Sequence, residues 1–235
     1  MRVLIADDHA AITMVASQLA RQAFSAPAVR VAHSVAELFE LLVGEPADLC
    51  VLDLTMPGPI KRVELVRAVR TVAPAMRVLV YSSDYSPCLV VAAMEAGAMG
   101  FVPKGAPIHD LLAGMVAVAR GSRFVDPLIA RRGALHPWRL LTEAERAVLA
   151  AVVVGRTLKQ VAADTGRAYS TVATLRSAGM RRLGVRSNEE LAAYLHTHGV
   201  LFELDALGGA QPEHSRPLRN SYDGLPLASP TRMAG

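Results

Sequence analysis

Cysteine is scarce in this sequence: Cys50 and Cys88 stand alone among 235 residues, one inside an apolar run and one beside Pro87. Without a CxxC pair there is no sequence signal for a zinc site or a dithiol redox centre. Long apolar runs are missing too. No stretch approaches the roughly 18 uninterrupted apolar residues of a membrane helix, and Val3-Leu4-Ile5-Ala6 is too short for a signal-peptide core, so the expectation is a cytoplasmic protein with no membrane partner. Internal repeats are lacking as well.

What remains is a globular composition, 52% apolar and 20% charged, long enough for one large domain or two small ones. The formal charge of +4 is unevenly placed: residues 138–200 hold nine Arg and Lys against five acids, an excess of four that equals that of the whole chain. Taken alone, so small an excess does no more than keep a domain soluble. Taken with a helical motif, it points to a polyanion.

Short β-branched apolar runs at 2–6, 29–32, 48–53, 77–82 and 100–102 alternate with amphipathic stretches near 9–24, 34–43, 61–73, 86–97 and 107–120. Parallel strands need a crossover helix and are buried on both faces, so this alternation predicts an α/β fold, a doubly wound five-stranded parallel sheet. Ser34 with Glu37, Thr142 with Glu145 and Ser187 with Glu190 have the spacing of capping boxes. After Gly121 a charged, proline-containing connection reads as a linker over 123–137. Residues 138–200 read as an all-α domain, and 201–235 collect Gly, Pro and Ser without periodicity, the signature of a disordered tail.

Ligands in doubly wound sheets sit at the carboxyl ends of the strands. That edge would gather Asp7 and Asp8 after the first strand, Asp53 after the third, Ser82 at the end of the fourth and Lys104 after the fifth. Adjacent carboxylates repel unless a cation neutralises them, and Mg2+ suits a few carboxylates together with waters and phosphate oxygens. An aspartate beside that metal can attack a phosphoryl donor, with Lys104 and the Ser82 hydroxyl stabilising the transferred group.

Ala6-Asp7-Asp8-His9, Leu52-Asp53-Leu54-Thr55-Met56-Pro57-Gly58, Val80-Tyr81-Ser82-Ser83 and Ala96 to Lys104 together resemble the receiver domains of two-component response regulators, over residues 1–122. The resemblance implies that Asp53 is the phosphoacceptor and that Asp7, Asp8 and Asp53 hold Mg2+ with the Thr55 carbonyl. It also implies a sensor histidine kinase or phosphotransfer protein as partner. Phe101 matches an aromatic that moves with phosphorylation, and it reads equally as an edge-strand core residue. Pro59-Ile60-Lys61-Arg62 departs from the Asp-Gly turn of most relatives and puts two cations near the pocket, while Gly105 replaces the proline that normally follows the lysine.

Three helices are predicted over 142–154, from Leu158 to Gly166, and over 168–183. On the third, Val172, Leu175, Gly179 and Leu183 share one face, and the opposite face presents Ser170, Thr174, Ser177 and Arg181, all small or basic. Such a helix suits the major groove, with Arg176 and Arg182 at phosphates. Leu141 to Glu145, Gly155, Val161-Ala162, Ser170-Thr171-Val172 and Arg182 to Val185 resemble the LuxR-type helix-turn-helix of NarL/FixJ response regulators, with Lys104 to Pro107 and Ser177 to Val185 most like the RcsB-like branch. Ala173 and Leu175 replace the Lys and His of many relatives.

The resemblance implies a transcription regulator that binds DNA as a homodimer through Ser170, Thr171, Thr174, Arg176, Ser177, Arg181 and Arg182. An alternative keeps the DNA binding and makes the receiver a heterodimer module for an auxiliary regulator. An enzyme is not expected. Phosphatases with an aspartyl nucleophile need a second acid two residues on, where this chain has Thr55.

Overall fold

A computed structural model describes residues 1–207 of the chain, which divide into two compact units. The first comprises Met1–Leu140 together with His198–Phe202, and the second includes Leu141–Thr197.

In the first unit the strands are β1 (Arg2–Ala6), β2 (Ala28–Ala32), β3 (Leu49–Leu52), β4 (Arg77–Ser82) and β5 (Gly100–Pro103). All pair in parallel in the order β2-β1-β3-β4-β5, the doubly wound sheet that the apolar runs predict. Helices α1 (Ala10–Ala23), α2 (Val35–Gly44), α3 (Arg62–Val72), α4 (Pro87–Glu95) and α5 (Ile108–Ala119) fill the crossovers. Because side chains alternate along a strand, Val3, Ile5, Leu49, Val51, Leu79 and Tyr81 share one face. There they meet Ala16 and Ala20 of α1 and Leu111, Met115 and Val118 of α5. The small alanines let α1 lie close, and the β-branched strand residues fill the sheet surface.

The segment expected to be a linker is more ordered than a connection. It holds α6 (Pro127–Ala134), which is part of the first unit. Asp126 caps it, accepting from the Leu128 and Ile129 amides at 2.8 and 3.4 Å, and Pro127 takes the first helical position, where no amide proton is needed. Helix α6 lies so close to α4 that a β-carbon on Gly133 would stand 2.0 Å from the Pro87 carbonyl oxygen. The return segment adds a further contact: Ser86 Oγ donates to the Gly199 carbonyl at 2.7 Å, and His136 Nε2 lies 3.3 Å from His198 Nδ1.

The second unit contains α7 (Glu143–Val153), α8 (Leu158–Thr165), α9 (Tyr169–Leu183) and α10 (Asn188–Thr197). Val148, Ala151, Val161, Ala162 and Val172 form its core, with Leu158 and Leu175 against them. Gly166, in the left-handed region at φ 65°, ends α8 and lets the chain turn into α9.

Of the three predicted capping boxes only Thr142 and Glu145 form both bonds. Ser34 and Ser187 accept from the amides of Glu37 and Glu190, but these carboxylates reach one residue further back, to the amides of His33 and Arg186. A further complete box, beyond the three expected, joins Thr157 and Gln160 at the head of α8. The expected tail begins as a 3-10 helix, Leu201–Leu207, with Phe202 buried; residues 208–235 lie outside the described residues.

Candidate functional sites

Parallel register decides where the polar residues meet. Ala6 pairs with Leu52, Leu52 with Val80, and Ser82 with Pro103, so β1, β3, β4 and β5 end on the same edge. The Asp53 amide donates to the Ala6 carbonyl at 2.8 Å and the Lys104 amide to the Ser82 carbonyl at 2.9 Å, which fixes both residues to neighbouring strand ends.

Asp7 and Asp53 are buried, 2% and 1% exposed, at a depth where unpaired carboxylates would be strongly disfavoured. Lys104 supplies the pairing: its Nζ lies 2.7 Å from Asp7 Oδ2 and 2.9 Å from Asp53 Oδ2. Burial pushes the Lys104 ammonium down, but hydrogen bonds to the two carboxylates and their charges outweigh it and hold its pKa above the ordinary 10.5. Ligand atoms of Asp7, Asp8, His9 and Asp53 all lie within 4.8 Å of one another, a set of hard oxygen donors with one imidazole. His9, absent from the expected ligands, joins the cluster with its Nδ1 2.8 Å from Asp8 Oδ1; its place directly after the two aspartates is the sequence signal for it.

The Thr55 hydroxyl donates to Asp53 Oδ1 and Oδ2 at 3.2 and 3.1 Å. Ser82 is fully buried at the same edge, with its Oγ accepting from the Asp84 amide at 3.2 Å. Phe101 is 3% exposed, and its amide donates to the Phe124 carbonyl at 2.8 Å. Cys50, central in β3, is an inert thiol: burial pushes it up to about 12.

In the second unit α9 follows α8 through the short Gly166–Ala168 turn of a helix-turn-helix. Ser170, Thr171, Thr174, Ser177, Arg181 and Arg182 are exposed along it, and Arg176 is half-buried. Two of its arginines are engaged within the unit. Arg176 Nη2 donates to Asn188 Oδ1 at 2.7 Å, and Arg182 Nη1 lies 2.6 Å from Oε2 of Glu145. Glu145, a capping residue by its spacing from Thr142, thus also joins the start of α7 to the end of α9. Its burial raises its pKa, but hydrogen bonds from Thr142 and the Arg182 charge prevail and hold it below 4.5.

Residues 3–115 match the response regulator receiver domain and residues 139–195 match the bacterial regulatory proteins of the luxR family. The chain is 32% identical over 193 residues to the transcriptional regulatory protein UhpA of Salmonella typhimurium, a match covering 81% of this chain and 95% of UhpA. It is 28% identical to the probable transcriptional regulatory protein NarL of Mycobacterium tuberculosis, over 79% of this chain and 88% of that one. The fold is similar to that of the solved Salmonella typhimurium response regulator RcsB, with TM-score 0.61 and 23% identity across 83% of this chain and 99% of RcsB. A structure of two RcsB dimers bound to two parallel DNAs matches with TM-score 0.60 and 23% identity. The chain belongs to the NarL/FixJ response regulators, DNA-binding transcription regulators that join a receiver domain to a LuxR-type helix-turn-helix.

Proposed function

We propose that Asp53 is the phosphoacceptor of this regulator and that its phosphorylation promotes dimerisation and promoter binding. The observation that carries the reading is the Lys104 ammonium lying between the buried carboxylates of Asp7 and Asp53 at the sheet edge. The donor set of Asp7, Asp8 and Asp53, all carboxylates and close together, fits Mg2+ with the Thr55 carbonyl as a further ligand. When bound, Mg2+ would supply charge neutralisation for the carboxylates and for a phosphoryl oxygen.

The chain's own groups account for the rest. An Asp53 carboxylate oxygen forms a bond to phosphorus as the bond from phosphorus to the donor's leaving group breaks, and the leaving group departs with that electron pair. Lys104, already within hydrogen-bond reach of Asp53, offsets the charge carried by the transferred oxygens. The Ser82 hydroxyl donates to one of those oxygens. The appearance of a dianion at Asp53 then draws Ser82 and repacks the surface around Phe101. A sensor histidine kinase or phosphotransfer protein is the natural donor, and the cytoplasm the natural compartment. Among the described residues no helix is long and apolar enough to cross a membrane.

On the DNA side, α9 enters the major groove with Ser170, Thr171, Thr174, Ser177 and Arg181 toward the bases, and Arg176 and Arg182 near the backbone. Two copies would read half-sites about one helical turn apart, the arrangement favoured by a homodimer. A binding titration on a mixed-sequence duplex tests this: acetyl phosphate should tighten binding by wild type and leave Asp53→Asn unchanged. Equal binding by treated and untreated wild type would contradict it.

A further inference from the structure

The cationic turn that replaces the Asp-Gly of most relatives reaches the site from the side. Arg62 heads α3 with φ 49°, in the left-handed region, and among the described non-glycine residues only Ala26 shares a positive φ. Such a backbone persists where the surroundings hold it in place. Here they hold it twice. The Arg62 amide donates to the carbonyl of Leu54, the residue after Asp53, at 2.9 Å. Its side chain crosses to the loop after β4, where Nε lies 2.5 Å from Asp84 Oδ2.

Asp84 in turn carries Ser82, because its amide donates to Ser82 Oγ at 3.2 Å. That bond uses an acceptor lone pair of the hydroxyl and leaves its proton to be donated elsewhere. The side chains of Arg62 and Asp84 are 15% and 35% exposed, so the pair is shielded more than a surface ion pair and has a defined geometry. The guanidinium is planar and permanently charged, which suits it to hold one carboxylate in one place.

Building on the phosphorylation reading above, we infer that Arg62 is a positioning residue for phosphoryl transfer: through Asp84 it sets the loop that aims the Ser82 hydroxyl at the group arriving on Asp53. It touches neither donor nor phosphoryl group. One brace therefore spans the two loops of the site, tied by its backbone beside Asp53 and by its side chain beside Ser82. A positioning error of this kind slows the reaction without removing any reacting group.

The test is the rate of phosphate uptake from acetyl phosphate, followed by intact mass of the full chain, in a double-mutant cycle. Arg62→Asn removes the charge and keeps a side chain that tolerates the left-handed backbone. Asp84→Asn keeps the backbone amide and removes the carboxylate, and serves as the second variant should the first fail to fold. Each should slow uptake about ten-fold when Ser82 is present and less than about two-fold in a Ser82→Ala background, where no hydroxyl remains to be aimed. Arg62→Lys should recover part of the rate. Equal slowing in both backgrounds, or none in either, overturns the inference while wild-type uptake leaves the phosphorylation reading intact. No uptake by wild type overturns that reading first, and this inference with it.

Discussion

Glu145 and Arg182 stand 37 positions apart in the chain and 2.6 Å apart in space, joining the head of α7 to the last turn of α9. The buried carboxylate also closes the capping box with Thr142, so one side chain serves both helix initiation and helix packing. Arg182 is about half exposed in this pairing, so holding Glu145 leaves much of it facing solvent.

Stability of the helix-turn-helix should therefore depend on Glu145 remaining ionised. Its pKa is held below the ordinary 4.5, so its contribution is fully present above that value and is lost as pH falls through the lower folded value. Thr142→Ala should cost about 1 kcal/mol by removing the cap. Amide exchange along α7 checks both effects: protection should fall in the variant at neutral pH and in wild type as the medium is acidified.

Lys104 has the opposite sign. Its folded pKa lies above 10.5, so its stabilisation is intact at neutral pH, is fully present below 10.5 and is lost as pH rises through the folded value. Lys104→Met would leave Asp7 and Asp53 buried side by side without their cation. Phosphate uptake should fall about 100-fold in that variant, as measured by intact mass over time.

The receiver unit should loosen on acidification at a second place. His136 and His198 are both held below the ordinary 6.5, chiefly by burial, and His136 also by the charge of its neighbour. Groups that prefer to be neutral in the fold oppose folding once they are forced to protonate. Protection of the 198–202 amides should thus decline as pH falls from 6.5 toward the folded values, and His198→Gln should flatten that dependence. An unchanged slope in the variant would contradict the assignment.

Gly133→Val tests the seat of α6 on α4. A β-carbon there would overlap the Pro87 carbonyl, so the helices must separate or the variant lose about 1–3 kcal/mol. A denaturant midpoint equal to wild type would show that the contact is dispensable.

Much of this architecture is legible in the sequence because its cause is local. Val3 to Ala6, Leu49 to Leu52 and Val78 to Tyr81 are apolar runs too short for helices, and parallel pairing then carries Asp7, Asp53 and Ser82 to one edge. Helix α6 is hard to read because its charged, proline-containing stretch has the composition of a connection, although Asp126-Pro127 is itself a start signal. The second bonds of the boxes at Ser34 and Ser187 went elsewhere because a glutamate can reach an amide one residue further back, a choice that spacing does not encode. The pairings of Arg62 with Asp84 and of Arg182 with Glu145 join distant segments, so residue order alone could place the cations near a site without naming their partners.

The proposed switch depends on Asp53 accepting a phosphoryl group. Intact mass after incubation with acetyl phosphate and Mg2+, beside Asp53→Asn and with both samples passed over a sizing column, tests it directly. One added phosphate on wild type alone, together with a shift to dimer, is the predicted result. No added mass on a folded wild type, or the same addition on Asp53→Asn, would contradict it.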